Sequence, residues 1–74
     1  MTNYKNNESF AVEFLKNQID KKVTVYLVSG IKLSGVLLNF SESHILIEGQ
    51  GEKIEGKPQL VYTHAISTVL PNNL

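Results

Sequence analysis

The sequence predicts a mostly β protein with one N-terminal α-helix, its five strands forming a strongly bent antiparallel sheet in a small barrel. Three observations predict this class. A helical spacing of apolar residues occurs once, between residues 9 and 20. From Lys22 onward the apolar period is two and β-branched residues dominate. Gly35 interrupts the longest strand-like run, residues 31–40, where a missing side chain lets a strand bend sharply.

Residues 1–8 are polar and Asn-rich, and are expected to be a flexible arm. Ser9 or Asn7 can accept hydrogen bonds from the first free helical amides, so the helix is expected to start there. Phe10, Phe14, Leu15, Gln18 and Ile19 then mark one face, with Glu13, Lys16, Asn17 and Asp20 on the other, and the helix is expected to end near Asp20. The first strand, residues 22–28, places Val23, Val25 and Leu27 on one side and Thr24, Tyr26 and Val28 on the other. Ser29-Gly30 is a turn, residues 31–40 the second strand, residues 41–43 a polar break and residues 44–49 the third strand. The Gly-rich charged segment 50–57 is expected to be a loop. Residues 60–63 and 66–70 are two short strands around His64-Ala65, and Pro71 stops the last. One domain, residues 9–71, with a short end at 72–74, accounts for this pattern.

A chain of 74 residues buries only a modest core, and without cysteine it has neither disulfides nor thiolate metal sites. Oligomerisation is the expected source of extra stability, and the cytoplasm the expected compartment. No apolar run approaches the roughly 18 residues needed to cross a bilayer, and the amino terminus lacks a basic-then-apolar signal pattern, so no membrane role is expected. Seven lysines, no arginine and seven acidic residues give a net charge of zero, a weak footprint for binding a polyanion. Placement still matters, because one lysine per subunit is repeated around the axis of a ring.

An enzyme is not expected. Ser41, Ser43, His44, His64 and Ser67 could supply a nucleophile and a base, but their spacing follows no diagnostic pattern. Two histidines, even with Glu42 or Glu48, make a poor zinc site, and no phosphate-cradling glycine motif is present. No cofactor is expected.

Two segments carry more information than the rest: Tyr62-Thr63-His64-Ala65-Ile66-Ser67-Thr68, and Tyr26-Leu27-Val28-Ser29-Gly30-Ile31-Lys32-Leu33-Ser34-Gly35. They resemble the two motifs of Hfq, the bacterial Sm-like RNA chaperone family, whose members commonly read Tyr-Lys-His-Ala-Ile-Ser-Thr and Leu-Val-Asn-Gly-Ile-Lys-Leu-x-Gly. The resemblance covers roughly residues 10 to 70. A bent five-stranded sheet can close on itself or pair its end strands with neighbours. The resemblance selects the second, an Sm-like open barrel whose fourth strand pairs with the next subunit's fifth in a ring, typically of six. It implies a subunit interface at Val61, Tyr62, Ile66 and Val69, with Leu60 and Leu70 on the same strands.

The resemblance also implies two RNA surfaces. Residues matching Tyr26, Gly30, Ile31, Lys32, Leu33, Gln59 and Thr68 form the family's distal face, which takes A-rich single-stranded RNA, and Leu27, Ser29 and Ser34 lie among them. Tyr26 offers a ring on which a base can stack. Ser29 stands where many members have Asn and Ser34 where many have Gln, so each hydroxyl satisfies only part of what an amide offers adenine. On the proximal face, which holds U-rich RNA in the family, Ser43 replaces an aromatic and Thr63 replaces the lysine before His64. His64 is retained and Glu42 adds negative charge.

Lys16, Lys21 and Lys22 stand in only partly for the family's rim arginines. By the resemblance, the 49–57 loop is longer than in typical members, and no role of the family's long carboxy-terminal tail is expected. The expected function is that of an RNA-binding Sm-like ring, a post-transcriptional RNA chaperone. Its expected partners are A-rich mRNA, small RNAs and its own copies in a homohexamer, with weakened U-rich binding. The alternative is an Sm-fold protein-interaction or hetero-ring subunit that has lost most RNA binding.

Overall fold

The computed structural model describes residues 9–50 and 56–72. The expected arm at residues 1–8, the Asn7 cap, the centre of the long loop and the last two residues lie outside the described residues. Helix α1 (Ser9–Lys16) is followed by β1 (Lys22–Leu27), β2 (Lys32–Phe40), β3 (His44–Gly49) and β4 (Pro58–Tyr62), then a 3-10 helix (Thr63–Ala65) and β5 (Ile66–Pro71). The sheet runs β4-β3-β2-β1-β5, and all its neighbouring strands are antiparallel.

The helix is shorter than its apolar spacing predicts, because the backbone finds a different partner. After the Asn17 N–H donates to the Glu13 carbonyl, the next bonds close three-residue turns, from Gln18 to Leu15 and from Ile19 to Lys16. Asp20 then takes a left-handed backbone, φ 68°, and its N–H donates to the Leu37 carbonyl at 2.7 Å. The Leu37 N–H returns a bond to the Lys21 carbonyl at 3.0 Å. Residues 19–21 thus occupy a stretch of β2 that β1 leaves free. Ile19 still packs against the core and Gln18 is buried, so the apolar face survives the loss of helical backbone. Phe10, expected on that face, is 49% exposed.

Strand β2 serves two partners in succession. Residues 32–36 pair with β1, and residues 35–40 with β3. Gly35 belongs to both ladders, opposite Val23 on one side and Gly49 on the other. A Cβ at Gly35 would collide with the Glu48 carbonyl oxygen and the Ile47 side chain. Only glycine lets β3 approach this closely where the sheet turns over. An irregularity between Leu37 and Asn39 adds further bend.

The concave side holds Val23, Val25, Leu37, Ile45, Ile47 and Val61, all buried, with Leu15, Leu27, Leu33, Phe40, Ile66 and Val69 packed around them. Val61 therefore turns into its own subunit's core. The apolar side chains exposed along the two end strands are Leu60 and Tyr62 on β4 and Leu70 on β5. The sheet does not close on itself, since β4 and β5 stand at opposite ends of the strand order.

Candidate nucleic-acid interface

The register of β1 with its two neighbours arranges the residues expected to meet RNA. Tyr26 lies opposite Lys32 on one side and Thr68 on the other. Directly opposed residues of antiparallel strands project to the same face, so Thr68, Tyr26 and Lys32 form one row across three strands. Ser34, opposite Thr24, joins the same face. Tyr26 is half-buried, while Lys32 and Thr68 are exposed. A register shift after Tyr26 pairs Leu27 with Ile66 and leaves Ser67 unpaired, with its hydroxyl donating to the Tyr26 carbonyl at 3.2 Å. This bond braces the backbone beneath the tyrosine.

The tight turn after β1 completes this end. The Gly30 N–H donates to the Leu27 carbonyl and the Leu27 N–H to the Ile31 carbonyl, at 2.9 and 2.8 Å. Gly30 has φ 96°, a conformation that favours glycine. The turn presents Ile31, 56% exposed, beside the exposed Ser29.

Three expected members of this surface are placed differently. Leu33 lies opposite Val25, on the face turned away from Tyr26, and packs against the core, as does Leu27. Strand alternation separates Leu33 from Tyr26 despite their nearness in the motifs. Gln59 pairs with Ile47 on β4, at the far end of the strand order from Thr68. Its Oε1 is buried with no hydrogen-bond partner among the described residues.

At the other candidate site, the chain brings Ser43 and His64 together through Thr63. The Thr63 N–H donates to the Ser43 carbonyl at 2.9 Å, and the Thr63 hydroxyl to the Glu42 carbonyl at 3.1 Å. The 3-10 helix that carries the exposed His64 is thereby pinned to the β2–β3 turn. Ser43 Oγ lies 2.7 Å from His44 Nδ1, so its hydroxyl is engaged within the chain. His44 in turn packs against Tyr62, the ring centroids 4.5 Å apart and the planes tilted by 52°. From the sequence, His44 stands out only as a candidate base or a weak metal ligand. Its position opposite Tyr62 across the β3–β4 ladder was the signal that it stacks.

Of the expected interface residues, Tyr62 is exposed, Ile66 and Val69 are half-buried against the core, and Val61 is buried within it. Side chains available to a neighbouring strand are therefore Tyr62, Leu60 and Leu70. Val61 could contribute to such a joint only through its backbone.

One helix followed by a bent, unclosed sheet of five antiparallel strands defines the Sm-like fold, here with a row of Thr68, Tyr26 and Lys32 across β5, β1 and β2. The family model described as Hfq protein matches residues 9–74, and the chain belongs to the Hfq family. It is 41% identical over 70 residues to the RNA-binding protein Hfq of Alkaliphilus metalliredigens, covering 90% of this chain and 80% of that relative. Against the RNA-binding protein Hfq of Desulfitobacterium hafniense the identity is 47% over 58 residues, 74% of this chain. The match spans 64% of the length of that relative. A crystal structure of the pleiotropic translational regulator Hfq superposes with a TM-score of 0.73 at 28% identity, covering 82% of this chain and 97% of that one.

Proposed function

We propose that this protein is an RNA-binding Sm-like ring protein, a cytoplasmic post-transcriptional RNA chaperone that takes A-rich single-stranded RNA on its distal face. The observation that carries this reading is the row Thr68, Tyr26 and Lys32, with the exposed Ile31 in the turn that leads into Lys32. It combines a stacking ring, a hydroxyl, a cation and an apolar wall, the elements with which single-stranded bases are held. Relatives named RNA-binding protein Hfq support it.

Assembly into a ring, a homohexamer in this reading, gives Gln59 its role. A joint between β4 of one subunit and β5 of the next brings the Gln59 end of one sheet beside the Thr68 and Tyr26 end of its neighbour. The Gln59 Oε1, buried and without a partner among the described residues, then lies at the joint, where a side-chain rotation would turn the amide toward a base edge. Leu33 and Leu27 act from below, as supports of this surface, while Ser29, Gly30 and Ser34 line it. Leu60, Tyr62 and Leu70 supply apolar side chains to the joint. Ser43 and His64 give the proximal face little to hold U-rich RNA, since position 43 carries no aromatic ring and position 63 no lysine. Binding requires no nucleotide or metal.

A second reading is favoured by the hydroxyls of Ser43 and Thr63, which are spent on bonds within the chain. In it the protein is an interaction or hetero-ring subunit that no longer holds RNA. Titration of labelled A-rich and U-rich oligonucleotides by fluorescence anisotropy, in matched salt and with oligomeric size checked, separates the two. The first reading requires tight A-rich and weak U-rich binding, whereas an assembled ring that binds neither supports the second.

A further inference from the structure

We infer that Thr63 is a positioning residue, whose side-chain hydroxyl latches the 3-10 helix to the β2–β3 turn and fixes the backbone that presents His64. Its meaning for RNA rests on the function proposed above. Its structural content stands on hydrogen bonds alone.

The His64 side chain is exposed, yet the backbone is anchored on both sides of it. Before it, the Thr63 N–H donates to Ser43 O at 2.9 Å and Thr63 Oγ1 donates to Glu42 O at 3.1 Å. After it, the Ala65 carbonyl accepts the Val28 N–H at 2.7 Å, and the Ile66 N–H closes the turn onto the Thr63 carbonyl. The β2–β3 turn, the end of β1 and the start of β5 therefore converge on three residues. A histidine on so constrained a turn is presented to a partner with its backbone already ordered, which lowers the cost of fixing it when that partner binds.

Among these bonds, only the one from Thr63 Oγ1 is made by a side chain, so it alone depends on the residue type at this position. Valine keeps the branched shape and removes the bond. Serine keeps the bond. Lysine brings charge and removes the hydroxyl. This chain thus holds His64 by a bond from the preceding side chain to a distant backbone carbonyl.

The test compares the unaltered full chain with Thr63→Val and Thr63→Ser, by amide hydrogen exchange followed by NMR, without RNA. The amides of position 63 and Val28, which hold the two ends of the turn, are the reporters. Thr63→Val is expected to speed their exchange roughly five- to tenfold, the effect of losing one hydrogen bond of ordinary strength, while the core amides of Val23 and Val25 keep their rates. Thr63→Ser is expected to restore slow exchange, a rescue that follows the hydroxyl and not the shape. Unchanged rates in Thr63→Val, or no rescue by Thr63→Ser, would overturn the latch. U-rich oligonucleotide titration of the same proteins reads the RNA role separately, with a few-fold loss expected in Thr63→Val and recovery in Thr63→Ser. Failure of the unaltered chain to bind any oligonucleotide would count against the RNA reading and leave the exchange rates to decide the latch.

Discussion

The row around Tyr26 and the turn around His64 are both built from motif residues, yet they use their polar groups in opposite ways. Around Tyr26, a bulge hydroxyl supports the backbone from Ser67 while Thr68 and Lys32 stay exposed. Around His64, the hydroxyls of Thr63 and Ser43 bond to other groups of the chain, and Tyr62 packs against His44. The difference teaches that keeping a motif's length and bend is separate from keeping its chemistry. One surface leaves its hydroxyl and cation free to meet a ligand, and the other spends the hydroxyls of Ser43 and Thr63 on its own shape.

The largest change to this comparison removes the frame on which both surfaces stand. Gly35→Val is expected to abolish cooperative folding, since its branches would meet the β3 backbone at the bend, a conflict costing at least about 3 kcal/mol. Thermal unfolding by circular dichroism checks this, and a near-native melting temperature would show that β3 can move away. Next, Tyr62→Asp combined with Leu70→Asp is expected to convert the ring to smaller species by sedimentation, because both apolar side chains lie exposed on the end strands. Persistence of the ring would place its joint elsewhere.

Smaller effects sharpen the contrast between the surfaces. Ser43→Phe with Thr63→Lys should raise U-rich affinity about tenfold by restoring a stacking platform and a charge, and should leave A-rich affinity unchanged. Equal gains for both oligonucleotides would mean that the lysine acts only as general charge. Lys32→Ala should weaken A-rich binding by a few-fold and make its salt dependence shallower, as expected for a phosphate contact. An unaltered salt slope would remove Lys32 from the phosphate path.

Much of this fold was legible in the sequence because alternation and glycine placement act locally. The third strand has the expected bounds at His44 and Gly49, and the bend falls at Gly35. The end of the helix was not legible, because Asp20 leaves helical geometry to bond Leu37, a partner distant in sequence. Strand ends shifted for related reasons: β2 begins at Lys32 because Ile31 belongs to the turn, and β4 begins at Pro58 because it pairs with Glu48. The Tyr26 row follows from period two once register is known, but motif matching alone grouped Leu33 with it. Alternation places Leu33 on the core side. The fate of Val61 was hidden for the same reason, since apolar character marks both a core residue and an interface residue. The Thr63 latch spans 21 residues and leaves no local pattern to find.

The central claim is that the Tyr26 surface, and not the His64 surface, carries affinity for A-rich RNA. Anisotropy titration of A-rich RNA against Tyr26→Ala and His64→Ala rings of verified size tests it most directly. The account predicts a loss of roughly ten- to hundredfold for Tyr26→Ala, the range for removing a base-stacking ring, and less than about twofold for His64→Ala. Unchanged affinity in Tyr26→Ala, or an equal loss in His64→Ala, would contradict it.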